Sequence, residues 1–140
     1  MTAKTYMENI AHAEKELKIL GARRRHYVEL ATSLGVNLDS TPVVTSGGSS
    51  RVETAAVSIC DLVTELDVNI AAYVQQIKEA EENIAKIPQE KFRELLTYKY
   101  LCGMSWRSIS DQMDYKDAKS VFRVHGYALK ELQKVLTTTC

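Results

Sequence analysis

From Val52 onward, apolar or small residues recur at Val52, Ala56, Ile59, Val63, Leu66, Ile70, Tyr73, Ile77, Ala80, Ile84 and Ile87, in unbroken steps of four and three. A repeat of about 3.5 residues keeps one narrow stripe of a helix turned towards a partner. The segment therefore predicts a helix packed in coiled-coil fashion, about 50 Å long at about 1.5 Å per residue. A similar series precedes it at Tyr6, Ile10, Ala13, Leu17, Leu20, Arg24, Tyr27, Ala31 and Leu34, with one charged interruption at Arg24. One polar residue on such a seam can fix register or oligomer state at some cost in stability.

Between the two series lies "GVNLDSTPVVTSGGSS", residues 35–50, with a proline and a Gly-Gly-Ser-Ser run that helices avoid. It reads as a flexible connector, long enough to return the chain so that the two helices pair as an antiparallel hairpin. The alternative is that each seam meets another subunit. Val57, Leu62 and Val74 widen the apolar side of the second helix beyond what one partner needs. Self-association follows as an expectation, with a dimer the commonest solution.

Pro88 ends the second series, because the residue before a proline disfavours helical geometry. In the next segment, "QEKFRELLTYKYL" places Phe92, Leu95, Leu96 and Tyr100 on one helical face, and Gly103 stands where a helix end tolerates positive φ. Ser105 is positioned to cap a short helix whose inner side is Trp106, Ile109 and Met113. After the turn "DYK", Asp117 caps a last helix with an inner face of Val121, Val124 or His125, Ala128, Leu132 and Val135. The predicted fold is all-α. A coiled-coil-like helical hairpin spans residues 1–87, and a three-helix helix-turn-helix unit spans residues 88–140.

The chain is neutral overall, with 18 basic and 18 acidic residues, but the balance is uneven. Residues 1–87 hold 9 Lys+Arg against 12 Asp+Glu, whereas residues 88–140 hold 9 against 6. The basic end is the end with three short-spaced helices. In helix-turn-helix units the final helix enters the major groove of double-stranded DNA while the preceding one crosses the phosphate backbone. Ser105, Arg107 and Ser108 are then left on the outside near a phosphate path. Lys116, Lys119 and Arg123 come near or within the first two turns of the last helix, beside Ser120, Phe122 and Tyr127. Arg and Lys suit guanine edges, and a ring such as Phe122 suits a thymine methyl.

The segment "LTYKYLCGMSWRSISDQMDYKDAKSVFRVHGYALKEL" resembles the C-terminal part of phage late-gene transcription regulators of the RinA/ArpU kind, whose DNA-binding segment is similar to region four of bacterial sigma factors. The likeness lies in order and spacing: a tyrosine-containing helix ending at Gly103, then Ser105-Trp106, Ile109, Met113, Tyr115, His125-Gly126 and Ala128-Leu129. "YVELATSLGVNLDSTPV" also resembles the stretch between the two long helices of such proteins. There are two departures. Ser110 stands where the family has alanine, implying slightly looser packing, and "KDAKS" stands where a serine usually begins the reading helix, leaving the register of the DNA-facing residues open by one position. The resemblance implies a phage or prophage regulator that binds upstream of a late or packaging operon and assists host RNA polymerase.

Plainer readings stand beside these. Lys119 and Arg123 are also spaced as a solvated helix face. Trp106 reads as a core residue, and His125 as a structural histidine. Gly126 costs a helix roughly 1 kcal/mol relative to alanine, which suggests a close helix contact there. The run Arg23-Arg24-Arg25-His26 is either a solvated face partly paired with acids such as Glu65 or Glu79, or a set of extra phosphate contacts. Cys60, Cys102 and Cys140 are too widely spaced for a metal site and read as free thiols. The chain has no phosphate loop, metal-binding histidine pair or catalytic triad pattern, so neither an enzyme nor a cofactor is expected. It shows neither a signal peptide nor an apolar run of bilayer length, which points to the cytoplasm of a bacterial host and away from a membrane. Two other functions stay open: a DNA-packaging recognition subunit similar in role to phage small terminases, and a protein-binding adaptor.

Overall fold

The computed structural model describes residues 1–36 and 50–138 of the chain, and every regular element among them is helical. The elements are α1 (Ala3–Ser33), α2 (Ser50–Ala85), α3 (Glu90–Leu96), α4 (Trp106–Gln112) and α5 (Ala118–Thr138). Between α3 and α4 the chain makes a π-helical turn, Thr97–Leu101. Most of the expected connector, residues 37–49, lies outside the described residues. Among the described residues no helix is long and apolar enough to cross a membrane.

Packing divides the chain into two compact units, one of Met1–Lys15 with Gln75–Cys140 and one of Glu16–Val74. This division runs through both long helices, whereas the sequence-based boundary falls after Ile87.

In the Glu16–Val74 unit, Ala31, Ile59 and Val63 form a small buried cluster with Tyr27 and Val36 packed against it. Arg24 donates from Nε to Oδ1 of Asp67 at 2.6 Å, so residues early in this part of α1 meet residues late in this part of α2. Asp67, one position beyond Leu66, is thus a partner of the seam arginine. Both side chains keep nearly half their surface in water, which limits the pair to about 1 kcal/mol or less. α1 ends at Ser33, and Leu34, expected on the seam, is exposed. Gly35 takes φ 76°, which lets its N–H reach Thr32 O and the Val36 N–H reach Ala31 O. The Val36 side chain then covers Ala31, as a left-handed helix end of this kind requires.

The other unit holds the larger core. Ile84 from the end of α2 and Ile87 just beyond it are buried together with Phe92, Leu95, Leu96, Tyr100, Ile109, Val121, Ala128 and Leu132. Ala3 and Met7 join the same core, Ala3 three positions ahead of Tyr6, where the sequence periodicity begins. Polar contacts tie this end of α1 down: Gln133 Oε1 accepts from the Ala3 N–H at 2.8 Å, and Asn83 donates to the Tyr6 hydroxyl at 2.9 Å. α2 stops at Ala85, before Pro88, yet Ile87 remains fully buried as an anchor beyond the helix. Arg93 donates to the carbonyls of Ile87 and Pro88, satisfying groups the broken helix leaves open.

Candidate nucleic-acid interface

The residues expected to meet DNA lie on α4, the turn after it and α5, and three local devices set these in place. Upstream of α4, the π-helical turn closes with Cys102 N–H bonded to Thr97 O, and Gly103 at φ 68° lets Met104 N–H return to Tyr98 O. A positive φ at that point releases the chain into α4 at little steric cost. Ser105 then caps α4, its Oγ accepting from the Ser108 N–H at 3.2 Å. The periodicity of "QEKFRELLTYKYL" gives no sign of the π turn, because the four core residues stay on one side despite the extra residue.

The turn between α4 and α5 is held by one residue pair. Tyr115 N–H donates to Ser110 O at 2.8 Å, and Ser110 Oγ donates to Tyr115 O at 3.2 Å. Ser110 is 5% exposed, so the hydroxyl that the resemblance made a source of looser packing instead closes the turn. Asp114 takes φ 58° within it, a left-handed conformation that Asp tolerates better than most residues. At the start of α5, Asp117 Oδ1 accepts from both the N–H and the hydroxyl of Ser120, each at 3.0 Å. These bonds from Ser120, with Arg123 and the Lys119 N–H adding to them, hold the Asp117 carboxyl below its ordinary range.

α4 is fixed to α5 by Ile109, which is fully buried, and by Trp106, which is only half-buried. The Trp106 ring meets His125 at 4.7 Å and Phe122 at 5.1 Å, both edge-on, and the Lys99 ammonium sits 4.4 Å from the indole centroid. His125 also lies 2.7 Å from the Tyr100 hydroxyl. Burial lowers the His125 pKa, with Lys4 and Lys99 adding to the effect. Burial likewise pushes Tyr100 up to about 12, with Glu8 adding. Both groups are thus held neutral, and their position behind Trp106 makes them part of the scaffold.

The expected DNA-facing residues divide as follows. Ser105, Arg107, Lys116, Lys119, Arg123 and Tyr127 are exposed, and Phe122 is exposed despite its contact with Trp106. Lys116 stands in the turn, ahead of α5. Ser120 is half-buried and its hydroxyl is committed to Asp117, so it serves the cap. Ser105 caps α4 and Arg107 sits on it, whereas Lys116, Lys119 and Arg123 lie on α5 or just before it, so both elements offer cations to solvent.

The exposed face of α5 continues beyond Tyr127, the last of the expected residues. Lys119, Arg123, Gly126, Lys130 and Lys134 follow one another at steps of four and three, and all five are exposed. Such residues form one continuous stripe. Lys130 also lies 5.8 Å from the Tyr127 ring, and Lys134 is paired with Glu131 at 3.0 Å. Among the described residues Gly126 is not at a close helix contact: a Cβ there would meet none of them within 4 Å.

Among the described residues no group of three His, Cys, Asp or Glu could hold a metal ion. Cys60 is half-buried and Cys102 exposed, both as free thiols. Compared with protein-family models, with curated proteins and with solved structures, the chain matches none.

Proposed function

We propose that this protein is a sequence-specific DNA-binding transcriptional regulator of the kind that activates phage late or packaging genes. In this reading α3, α4 and α5 make up a helix-turn-helix unit, α5 reads the major groove and α4 lies across the phosphate backbone. The long helices α1 and α2 pair as an antiparallel hairpin that carries self-association or presents a surface to host RNA polymerase in the bacterial cytoplasm.

The observation that carries the reading is the exposed basic stripe of α5, placed directly after a capped two-turn helix and a five-residue turn. Lys119 and Arg123 stand in its first two turns, where reading helices meet base edges, and neither forms an ion pair among the described residues. Asp114 and Asp117 precede those two turns, with Asp117 engaged by Ser120 at the cap, and Glu131 lies further along the helix, paired with Lys134. A polyanion would gain from the cations of those first two turns.

The test is to incubate the purified protein with sheared DNA of the genome that encodes it, at near-physiological salt, and to sequence what is retained. Enrichment of one site upstream of a late operon, lost in a Lys119→Ala/Arg123→Ala variant, is the expected result. Enrichment at a packaging start site would assign the protein to DNA packaging instead. Loss of all retention even at low salt would leave a protein-binding adaptor.

A further inference from the structure

A glycine in the middle of an exposed helix needs a reason, because alanine would stabilise the helix. Gly126 lies eight residues past the start of the 21-residue α5, it is exposed, and its φ is not in the left-handed range. A methyl group there would touch nothing among the described residues, so neither backbone conformation nor packing among them calls for glycine. What surrounds it on the helix surface is suggestive. Arg123 lies one turn before and Lys130 one turn after on the same stripe, with Phe122 and Tyr127 as exposed rings on either side. The centre of the basic face is therefore a gap in the side chains rimmed by cations.

Length supplies the second half of the argument. Gly126 stands seven residues beyond Lys119, about 10 Å at about 1.5 Å per residue, which is close to the width of a major groove. A helix whose first two turns meet base edges therefore has its third turn at the groove wall, where the sugar-phosphate chain runs. The rim cations have the charge to hold a phosphate, and the missing side chain lets it approach the helix backbone.

We infer that Gly126 is the seat of a DNA backbone phosphate, held between Arg123 and Lys130. This rests on the DNA-binding reading and adds to it a contact that carries no sequence information, one that fixes how deeply α5 enters the groove. Lys130 and Lys134 then belong to the DNA-binding face.

The experiment titrates the full chain, wild type and with Gly126→Ala or Gly126→Leu, into a fluorescent random-sequence duplex of about three helical turns, between about 50 and 200 mM salt. Thermal unfolding is followed in parallel. Gly126→Ala should raise the midpoint by about 4 °C, because the helix is improved. It should also weaken duplex binding on the order of tenfold, with the log-log salt dependence shallower by about one. Gly126→Leu should bind more weakly still. Wild-type affinity in both variants would overturn the inference while leaving the regulator intact, and weakened binding with an unchanged salt slope would overturn the phosphate assignment. A wild-type protein that binds no duplex at low salt would instead remove the DNA-binding reading, and this inference with it.

Discussion

The hydroxyl of Tyr100 lies 2.7 Å from Nε2 of His125, joining the end of the π-helical turn to the middle of α5 behind the Trp106 ring. With the imidazole neutral and protonated at Nδ1, the tyrosine donates to Nε2. The two groups are shifted in opposite senses. His125 has a folded pKa below its ordinary 6.5, so its contribution is complete above about 6.5 and is lost as pH falls through the lower folded value. Tyr100 is raised from 10.0 to about 12, so its contribution is complete below 10.0 and is lost as pH rises towards about 12. The unfolding midpoint, measured from pH 5 to 11, should form a plateau between about 7 and 10. Tyr100→Phe should flatten the alkaline fall relative to wild type, and His125→Gln the acid fall. Parallel curves for wild type and His125→Gln below pH 6.5 would show that the acid limb belongs to other groups.

Ser110 and Tyr115 make the second test, because the turn between α4 and α5 is closed by their two hydrogen bonds. Ser110→Ala keeps the backbone bond and removes the hydroxyl donor, leaving the Tyr115 carbonyl short of a partner in a half-buried turn. A loss of about 1 kcal/mol is expected by urea unfolding. An unchanged or higher midpoint would mean that alanine, the residue of the resembled family, packs there at least as well.

How much of this was legible in the sequence depends on the range of the interaction. Periodicity placed the long helices, and the cap signals placed Ser105 and Asp117, because both are decided within a few residues. The inner face of α5 followed from spacing alone, since Val121, Ala128 and Leu132 are fully buried. Long-range partners were not legible. No local pattern says that Ala3 and Met7 enter the core with Ile109 and Leu132, or that Arg24 pairs with Asp67. Gly126 misled because a glycine in a helix signals close approach without saying by what. The continuation of the basic stripe through Lys130 and Lys134 is legible in their spacing from Arg123.

Self-association is read from apolar residues that the single chain leaves in water. Val57 and Val68 are 48% and 65% exposed, about three helical turns apart on one line of α2, away from the seam formed by Ile59, Val63 and Leu66. If a second copy covers this line, Val57→Glu/Val68→Glu should reduce the mass seen by sedimentation to that of one chain, with the helical circular dichroism kept. The buried seam is untouched by these changes, so loss of helix would point to misfolding and not to a broken interface. A wild-type protein that already sediments as one chain would leave the valines as ordinary scattered surface residues.

Arg123 decides what kind of contact the basic face makes. It stands in the second turn of α5, exposed, one turn after Lys119 and beside Phe122. A guanidinium there can form two bonds to a guanine edge, and its loss should cost about 1–3 kcal/mol on the retained site and much less on unrelated DNA. Arg107 is exposed on α4; if α4 crosses the phosphate backbone as proposed, Arg107→Ala should weaken both duplexes alike and make the salt dependence shallower by about one. The measurement is fluorescence anisotropy of each variant on the retained site and on a scrambled duplex at fixed salt. If Arg123→Ala weakens the two equally, the arginine joins the phosphate contacts, and base reading must come from Lys119, Phe122 or the turn residue Lys116.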